Sequence, residues 1–360
     1  MTVAFDKPVI SLKSSDRPSV DVARLIRCAL ACLVVVTAVG IADVSAQVNP
    51  RDLPIVAQPQ QRFDRGQDVQ PIYEGWSKDE DDSITLHFGY LNRNYREQPN
   101  VPIGANNYFS PGDEDRGQPT FFYPRTQRYQ IEVPAEPDMG TAFEDAVVWT
   151  VVLHGSEQKA YAWLQPEWEI DTLTITQNQG MGRGHDVEVL YANNAPTLTV
   201  DASSTTVTIG QPVTLTAMLA DDELPTVLPP RPRRETLPTL TRPDSLSIPD
   251  NVQWYRRPRA PRNGLSVLWV VHHGPSDVDF EPSGYQRSIA EEGEDGLNSP
   301  RSGATAAPAQ EATSLEGDGL TAAKFETTVS FDEPGSYTLR AWATDSMHKS
   351  SGDVVITVTE

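Results

Sequence analysis

Histidine, carboxylate and aromatic side chains are the groups in this 360-residue chain that could do chemistry or hold a ligand. The histidines are His87, His154, His185, His272, His273 and His348, and only His272-His273 are close in sequence. Adjacent residues on a strand point to opposite faces, so that pair does not grip one metal ion unless a turn intervenes. Two acidic runs, Asp79-Glu80-Asp81-Asp82 and Asp113-Glu114-Asp115, offer hard oxygen ligands of the kind calcium takes. Neither has the spacing of a defined calcium loop, and solvated turns are the plainer reading. His-Glu-x-x-His, Gly-x-Ser-x-Gly and the phosphate-loop pattern do not occur. The run Gly180-Met181-Gly182-Arg183-Gly184 has the wrong spacing for a dinucleotide loop and no helical pattern behind it, so it reads as a turn. Carboxylate pairs for glycoside hydrolysis are defined by their separation in space, which abundant acids in a sequence do not reveal. The expectation is a non-enzymatic protein without a cofactor, calcium being the one ion the acidic runs leave open.

Charge narrows the partners. With 29 basic against 50 acidic residues the formal net charge is −21, whereas nucleic-acid binding relies on Lys and Arg displacing phosphate counterions. The one long apolar run, Cys28 to Ala42, follows Arg24 and Arg27 and precedes Val44-Ser45-Ala46. A charged flank, a short apolar core and small residues at the cut describe a secretory signal peptide over 1–46. Its 15 apolar residues fall short of the roughly 20 a spanning helix needs. Export to a bacterial periplasm or beyond is the expected localisation, with no membrane span after cleavage. Both cysteines, Cys28 and Cys32, lie in that segment, so the mature chain has no disulfide and must rely on packing. Residues 47–70 are Gln- and Pro-rich without a sustained period and read as a flexible leader.

The elements that would carry the aromatic groups are strands. In 71–192, Ile84, Leu86, Phe88 and Tyr90 alternate, as do Tyr129, Ile131 and Val133, while Val147 to Leu153 is apolar on both faces and suits a central strand. This reads as a β-sandwich domain with long loops. Its large aromatics include Trp76, Tyr90, Tyr95, Tyr108, Phe109, Phe121, Phe122, Tyr123, Tyr129, Trp149, Tyr161, Trp163 and Trp168, most of them expected in the core. Tyr108, Phe109, Phe121, Phe122 and Tyr123 flank a polar turn and read as loop residues. Rings there could stack on a sugar or a protein partner, or fold back on the sandwich.

From 195 to 360 the alternation is sharper. Leu198 and Val200, Val207 and Ile209, Val213 to Ala217, Val267 to Val271, Phe325 to Phe331, Tyr337 to Ala343 and Val354 to Val358 make seven short segments. That pattern predicts an immunoglobulin-like sandwich, and the expected fold is all-β with two tandem sandwich domains. The stretches APTLTVDA, IGQPVTLTA, LSVLWVVHHGPSDVDFEP, TTVSFDEPGSYTLRAWATD and VVITVT resemble the PKD-like family of extracellular immunoglobulin-fold modules. The resemblance covers roughly 195–222, 264–283 and 325–360. It implies a core Trp269, a Tyr337 bonding back across the Glu333-Pro334-Gly335-Ser336 corner, and spacer, adhesive or partner-binding roles. The chain departs from that family in insertions at 223–263, with nine Pro and eight Arg against four acids, and at 284–323, both expected to be disordered surface loops. Trp254-Tyr255-Arg256-Arg257 in the first could dock locally, and its positive charge could meet the acidic remainder or an acidic partner.

Strand phase adds one surface. With Val267, Trp269 and Val271 inward, Leu268 and Val270 point out, as do Trp342 and Val355 on neighbouring strands. An apolar outer patch of this kind is either covered intramolecularly or used by a partner. The expected function is an exported, non-enzymatic interaction or structural module with a protein or polysaccharide partner at the cell envelope. Its alternative is a carbohydrate-binding accessory protein using the loop aromatics.

Overall fold

The structure is a computed structural model that describes residues 63–79, 81–229, 260–288, 313–314 and 321–360. The signal peptide expected at 1–46, most of the leader, most of both insertions and the Trp254 patch lie outside the described residues.

The first sandwich is made from β1 (Val69–Lys78), β2 (Ile84–Asn92), β3 (Asn107–Ser110), β4 (Arg125–Pro134), β5 (Val147–Leu153) and β6 (Ser156–Ala162). One sheet runs β1-β2-β4 and the other β3-β5-β6, both antiparallel. Leu86, Phe88, Ile131, Val133, Val147, Trp149 and Val151 close the core between them, and β5 is the central strand its two-sided apolarity predicts. Tyr129 departs from the expected phase. A large irregularity in β4 pairs Phe88 with Ile131 but Tyr90 with Gln127, and Tyr129 takes φ +49°. Its ring, 1% exposed, stays buried but packs outside the main core cluster, edge-on to His87. The sandwich also begins earlier than 71. Asp68 pairs with Arg93 at 3.0 Å, and the amides of Tyr95 and Arg96 donate to the carbonyls of Phe63 and Asp64.

Two short helices follow, α1 (Thr172–Asn178), capped by Asp171 accepting from the Thr174 amide, and α2 (Val187–Ala192). The glycine run is the turn between them, with Gly180, Gly182 and Gly184 all at positive φ. A helix of six residues does follow it, against the sequence expectation, because so short a segment carries no readable period.

The second sandwich contains β7 (Thr197–Ala202), β8 (Thr206–Thr208), β9 (Val213–Asp221), β10 (Ser266–His273), β11 (Asp279–Glu281), β12 (Gln286–Arg287), β13 (Thr313–Ser314), β14 (Thr321–Ser330), β15 (Gly335–Thr344) and β16 (Lys349–Thr359). One sheet is ordered β12-β10-β15-β16-β8, with β8 parallel to β16, and the other β11-β14-β9-β7, with β13 added to β14. This strand order is the immunoglobulin arrangement, with β10 in the place of the strand that carries the core Trp. Trp269 is in the core, and the buried Tyr337 hydroxyl donates to the Glu333 carbonyl at 2.9 Å across the corner before β15. Leu339, two residues on, is buried where antibody domains place a disulfide cysteine, and packing with Leu215 and Phe325 fills that core instead. Gly274 lies so close to Tyr337 that a Cβ would meet its ring at 2.7 Å, so only glycine permits the corner.

Candidate functional site

The segment 117–123 does not form an open binding loop; it joins the two cores. Asn107 holds it from the first sandwich, donating to the Pro119 carbonyl at 2.9 Å while accepting from Trp149 Nε1 at 2.9 Å. From the second sandwich, an irregularity in β10 between Val271 and His273 frees backbone groups to meet it. The Val271 amide donates to the Tyr123 hydroxyl at 2.9 Å, and the Thr120 amide donates to the His272 carbonyl at 3.0 Å. His272 and His273 stack at 4.6 Å and donate from Nε2 to the carbonyls of Gly117 and Gln118, at 3.1 and 3.0 Å. The two rings therefore share a side, contrary to strand phase, because the bulge resets the alternation. Burial, then Arg340 and His273, hold the His272 imidazole well below its ordinary value and keep it neutral.

Of the two alternatives for the loop aromatics, folding back onto the cores holds at three positions, which removes these rings as binding residues. Phe109 is on β3, stacked on Trp149 at 5.7 Å, and Phe122 packs edge-on to Tyr90 in the same core. Phe121, 2% exposed, belongs to the core of the second sandwich. Tyr108 and Tyr123 are half-buried, and the Tyr123 ring packs against that same second core.

The outer face of β10, β15 and β16 has the predicted phase, since Leu268 pairs with Trp342 and Val355 with Thr338. It is covered at one end rather than open. Leu268 and Trp342 are buried, whereas Val270 is half-buried and Val355 is 54% exposed. Arg340 and Asp353 interrupt the apolar surface with a bidentate pair, both contacts at 2.7 Å. Trp342 lies under the Lys349 ammonium, 4.3 Å from its ring centre, and faces a 250 Å³ cavity lined also by Gln127, Arg128, Asn178 and Met181 of the first half. Both the first domain, through β4 and the α1 segment, and the insertions, through Ala260 and Tyr285, line this end of the face.

The acidic runs are turns. Asp82 pairs with Lys78 at 2.6 Å, Asp81 accepts from the Ser83 amide, and Asp115 accepts from the Gly117 amide. Among the described residues no three His, Cys, Asp or Glu side chains converge as a metal site.

Two features escaped the sequence reading. A cleft of about 820 Å³ beside α1 is lined by Ser77, His87, Glu132, Asp171, Thr174 and Tyr191. Ser77 Oγ lies 2.7 Å from His87 Nε2, but Glu132 stands 4.0 Å from Nδ1, too long to orient the ring. Burial lowers the His87 pKa despite Glu132. The Ser77 hydroxyl thus pairs with one nitrogen of a buried imidazole whose Nδ1 has no hydrogen-bond partner, and half of a relay is present without its acid leg.

The second feature is a row of exposed rings. Phe143 lies 5.4 Å from Tyr161 and 5.2 Å from Trp163, which is 6.5 Å from Trp168, and Trp168 stacks on Tyr73 at 5.1 Å. Phe143, Tyr161 and Trp168 are 53%, 41% and 39% exposed. Phase explains Tyr161 and Trp163: Ala160, Ala162 and Leu164 turn into the core, so the residues between them turn out. Backbone contacts fix Trp168. Trp76 Nε1 donates to the Gln165 carbonyl at 2.8 Å, and Gly75, at φ +128°, comes so near that a Cβ would sit 2.7 Å from the Trp168 carbonyl. The Ala160-Ala162-Leu164 alternation was the available signal for this row; the 3-10 turns that carry Phe143 and Trp168 left none.

No protein-family model and no curated protein matches the chain. Among solved structures it is similar to the D00-D0 domain of Intimin, with 8% identity over 84% of this chain and 97% of that one at a TM-score of 0.22. Domains 4 and 5 of the S-layer protein SbsC give 12% identity, 82% and 98% coverage and 0.19. The N-terminal domain of the Streptococcus gordonii adhesin Sgo0707 gives 12%, 46% and 32%, and 0.15. Likeness of this size does not define a fold, which rests on the strand order and register above. Those sheets define the class, an all-β protein of two sandwiches whose second has immunoglobulin topology. No helix among the described residues is long and apolar enough to cross a membrane.

Proposed function

We propose that the chain is an exported, non-enzymatic interaction module of the cell envelope, and that its binding face is the row Phe143, Tyr161, Trp163 and Trp168. The observation that carries this reading is the exposure of Phe143, Tyr161 and Trp168 around a half-buried Trp163, on a sandwich whose other large aromatics are mostly buried. Adjoining exposed rings are costly to leave in water and suit a partner with apolar faces. The PKD-like resemblance of the second half supports a role as spacer or adhesive unit, and the apolar run at 28–42 supports export.

A polysaccharide is the second reading of the same face. Tilted and edge-on rings spaced 5.2 to 6.5 Å apart offer successive platforms for sugar faces, and Lys159 and Glu157 on the same strand add polar groups. The test is a pull-down from envelope extracts run beside a polysaccharide panel. Both arms use the full chain, a Tyr161→Ala/Trp168→Ala variant and a Tyr108→Ala control. A protein or glycan held by the full chain and the control but released by the double variant supports the face. Capture undiminished in the double variant moves the site elsewhere, and capture by neither arm counts against the interaction reading.

A further inference from the structure

The chain between the helices and the second sandwich carries a polar cluster that the aromatic row does not involve. Asn193 follows α2, Asp221 ends β9 and Asp345 follows β15, so three distant segments meet there. Asn193 Nδ2 donates to Asp345 Oδ2 at 2.8 Å, and the other oxygen of Asp345 accepts from the amides of Met347 and His348, each at 2.7 Å. Asp221 adjoins Asp222 beside this knot, and burial, then the neighbouring charges of Asp345 and Asp222, push its carboxyl up to about 7. Beside them, Asp222 ties down Asn194, accepting from its amide and its side chain at 3.1 and 2.7 Å.

The cluster is buried and oxygen-rich. Asp221 and Asn193 are each 7% exposed, and each keeps one oxygen, Oδ1, buried with no hydrogen-bond partner. Neither Asp221 nor Asp345 has a Lys or Arg in ion-pair contact among the described residues. Two close buried carboxylates that lack an ammonium or guanidinium, with an unsatisfied amide oxygen alongside, form an arrangement that a cation completes. The geometry points to a calcium site at this junction, in which Asp221, Asp345 and the Asn193 side-chain oxygen bind one Ca²⁺ and peptide oxygens and water complete the shell. A half-turn of the Asn193 amide brings its oxygen to the Asp345 side. Calcium takes six to eight oxygens in flexible geometry, which suits donors from three separate segments, whereas magnesium requires a tight octahedron. With only two carboxylates the site belongs to the weak range of extracellular modules, with Kd of order 10⁻⁴ to 10⁻³ M. Its effect is to tie the segment after α2 to the β9 and β15 ends, fastening the helical segment to the second sandwich.

The experiment is thermal unfolding and isothermal titration of the EDTA-treated full chain with CaCl₂ and with MgCl₂. The expected result is one calcium site and a rise in Tm of about 5 °C in 10 mM CaCl₂, with a much smaller rise in MgCl₂. Asp221→Asn should abolish the rise while folding at least as well in EDTA, because it removes a buried repelling charge. Asn193→Ala should weaken calcium binding several-fold, and Asp79→Asn, in a separate acidic turn, should leave it intact. No calcium-dependent shift in the unsubstituted chain overturns the site, as does a shift that Asp221→Asn retains or Asp79→Asn removes.

Discussion

Phe121-Phe122-Tyr123 and the row Phe143, Tyr161, Trp163 and Trp168 use the same kinds of side chain, yet the first is sealed between two cores and the second faces water. The difference lies in what meets the backbone around them. Segment 117–123 runs against a bulged β10 that supplies the Val271 amide, the His272 carbonyl and two imidazole donors. A loop can be buried only when its peptide groups find such partners. The row rides on β6 and two 3-10 turns whose own hydrogen bonds are already made within the first sandwich, so its rings stay at the surface. Aromatic content therefore predicts neither a buried nor an exposed ring; the supply of polar partners does.

The sharpest way to break this contrast is Phe121→Ala. Removing a fully packed ring should cost about 3–5 kcal/mol and lower Tm by about 10 °C, read by thermal and urea unfolding. A loss under about 1 kcal/mol would mean that the junction is not a core. Tyr123→Phe should cost about 1–3 kcal/mol, since the Val271 amide then loses its acceptor while the ring remains. An unchanged midpoint in urea would show that water replaces the hydroxyl.

The junction should also respond to acid where the row does not. His272 stays neutral in the fold while an unfolded histidine protonates near pH 6.5, so the unfolded state binds more protons as pH falls. Its contribution is complete above about pH 6.5 and is lost as pH drops below it, by up to about 1.4 kcal/mol per pH unit. Unfolding from pH 7.5 to 5 should show the unsubstituted chain losing stability relative to His272→Gln, and parallel curves would remove the imidazole from this role. The smallest effect is expected at the row, where Tyr161→Ala should change stability by no more than about 0.5 kcal/mol. A loss as large as that of Tyr123→Phe would make the row part of the fold rather than a face.

Much of the fold was legible because alternation is local. The inward residues of β2, β5, β9, β15 and β16 are those the pattern names, and the Tyr337 corner and core Trp269 stand where the immunoglobulin-like pattern puts them. The misread positions sit at irregularities. Tyr129 sits where β4 advances four residues against two of β2, and His272-His273 share a side at the β10 bulge, where one extra residue resets the phase; neither irregularity marks the composition. Phe109 looked like a loop residue because β3 is four residues long between turn-rich segments. The exposed row was half legible: Ala160, Ala162 and Leu164 dictate that Tyr161 and Trp163 face out, but Phe143 and Trp168 join them only through tertiary placement.

By itself the sequence determined the all-β class, which side of each regular strand is apolar, the absence of cysteine after residue 46 and an acidity that disfavours nucleic acid. These follow from composition and from the two-residue period that covalent geometry imposes on an extended chain. Only the tertiary structure decided that Trp342 lies under Lys349, that Phe121 enters the second core, and that Asn193, Asp221 and Asp345 meet. Trp342 meets Lys349 across the β15-β16 hairpin, whereas Asn193 and Asp345 are 152 residues apart, and strand period carries no information about which surface a face will find.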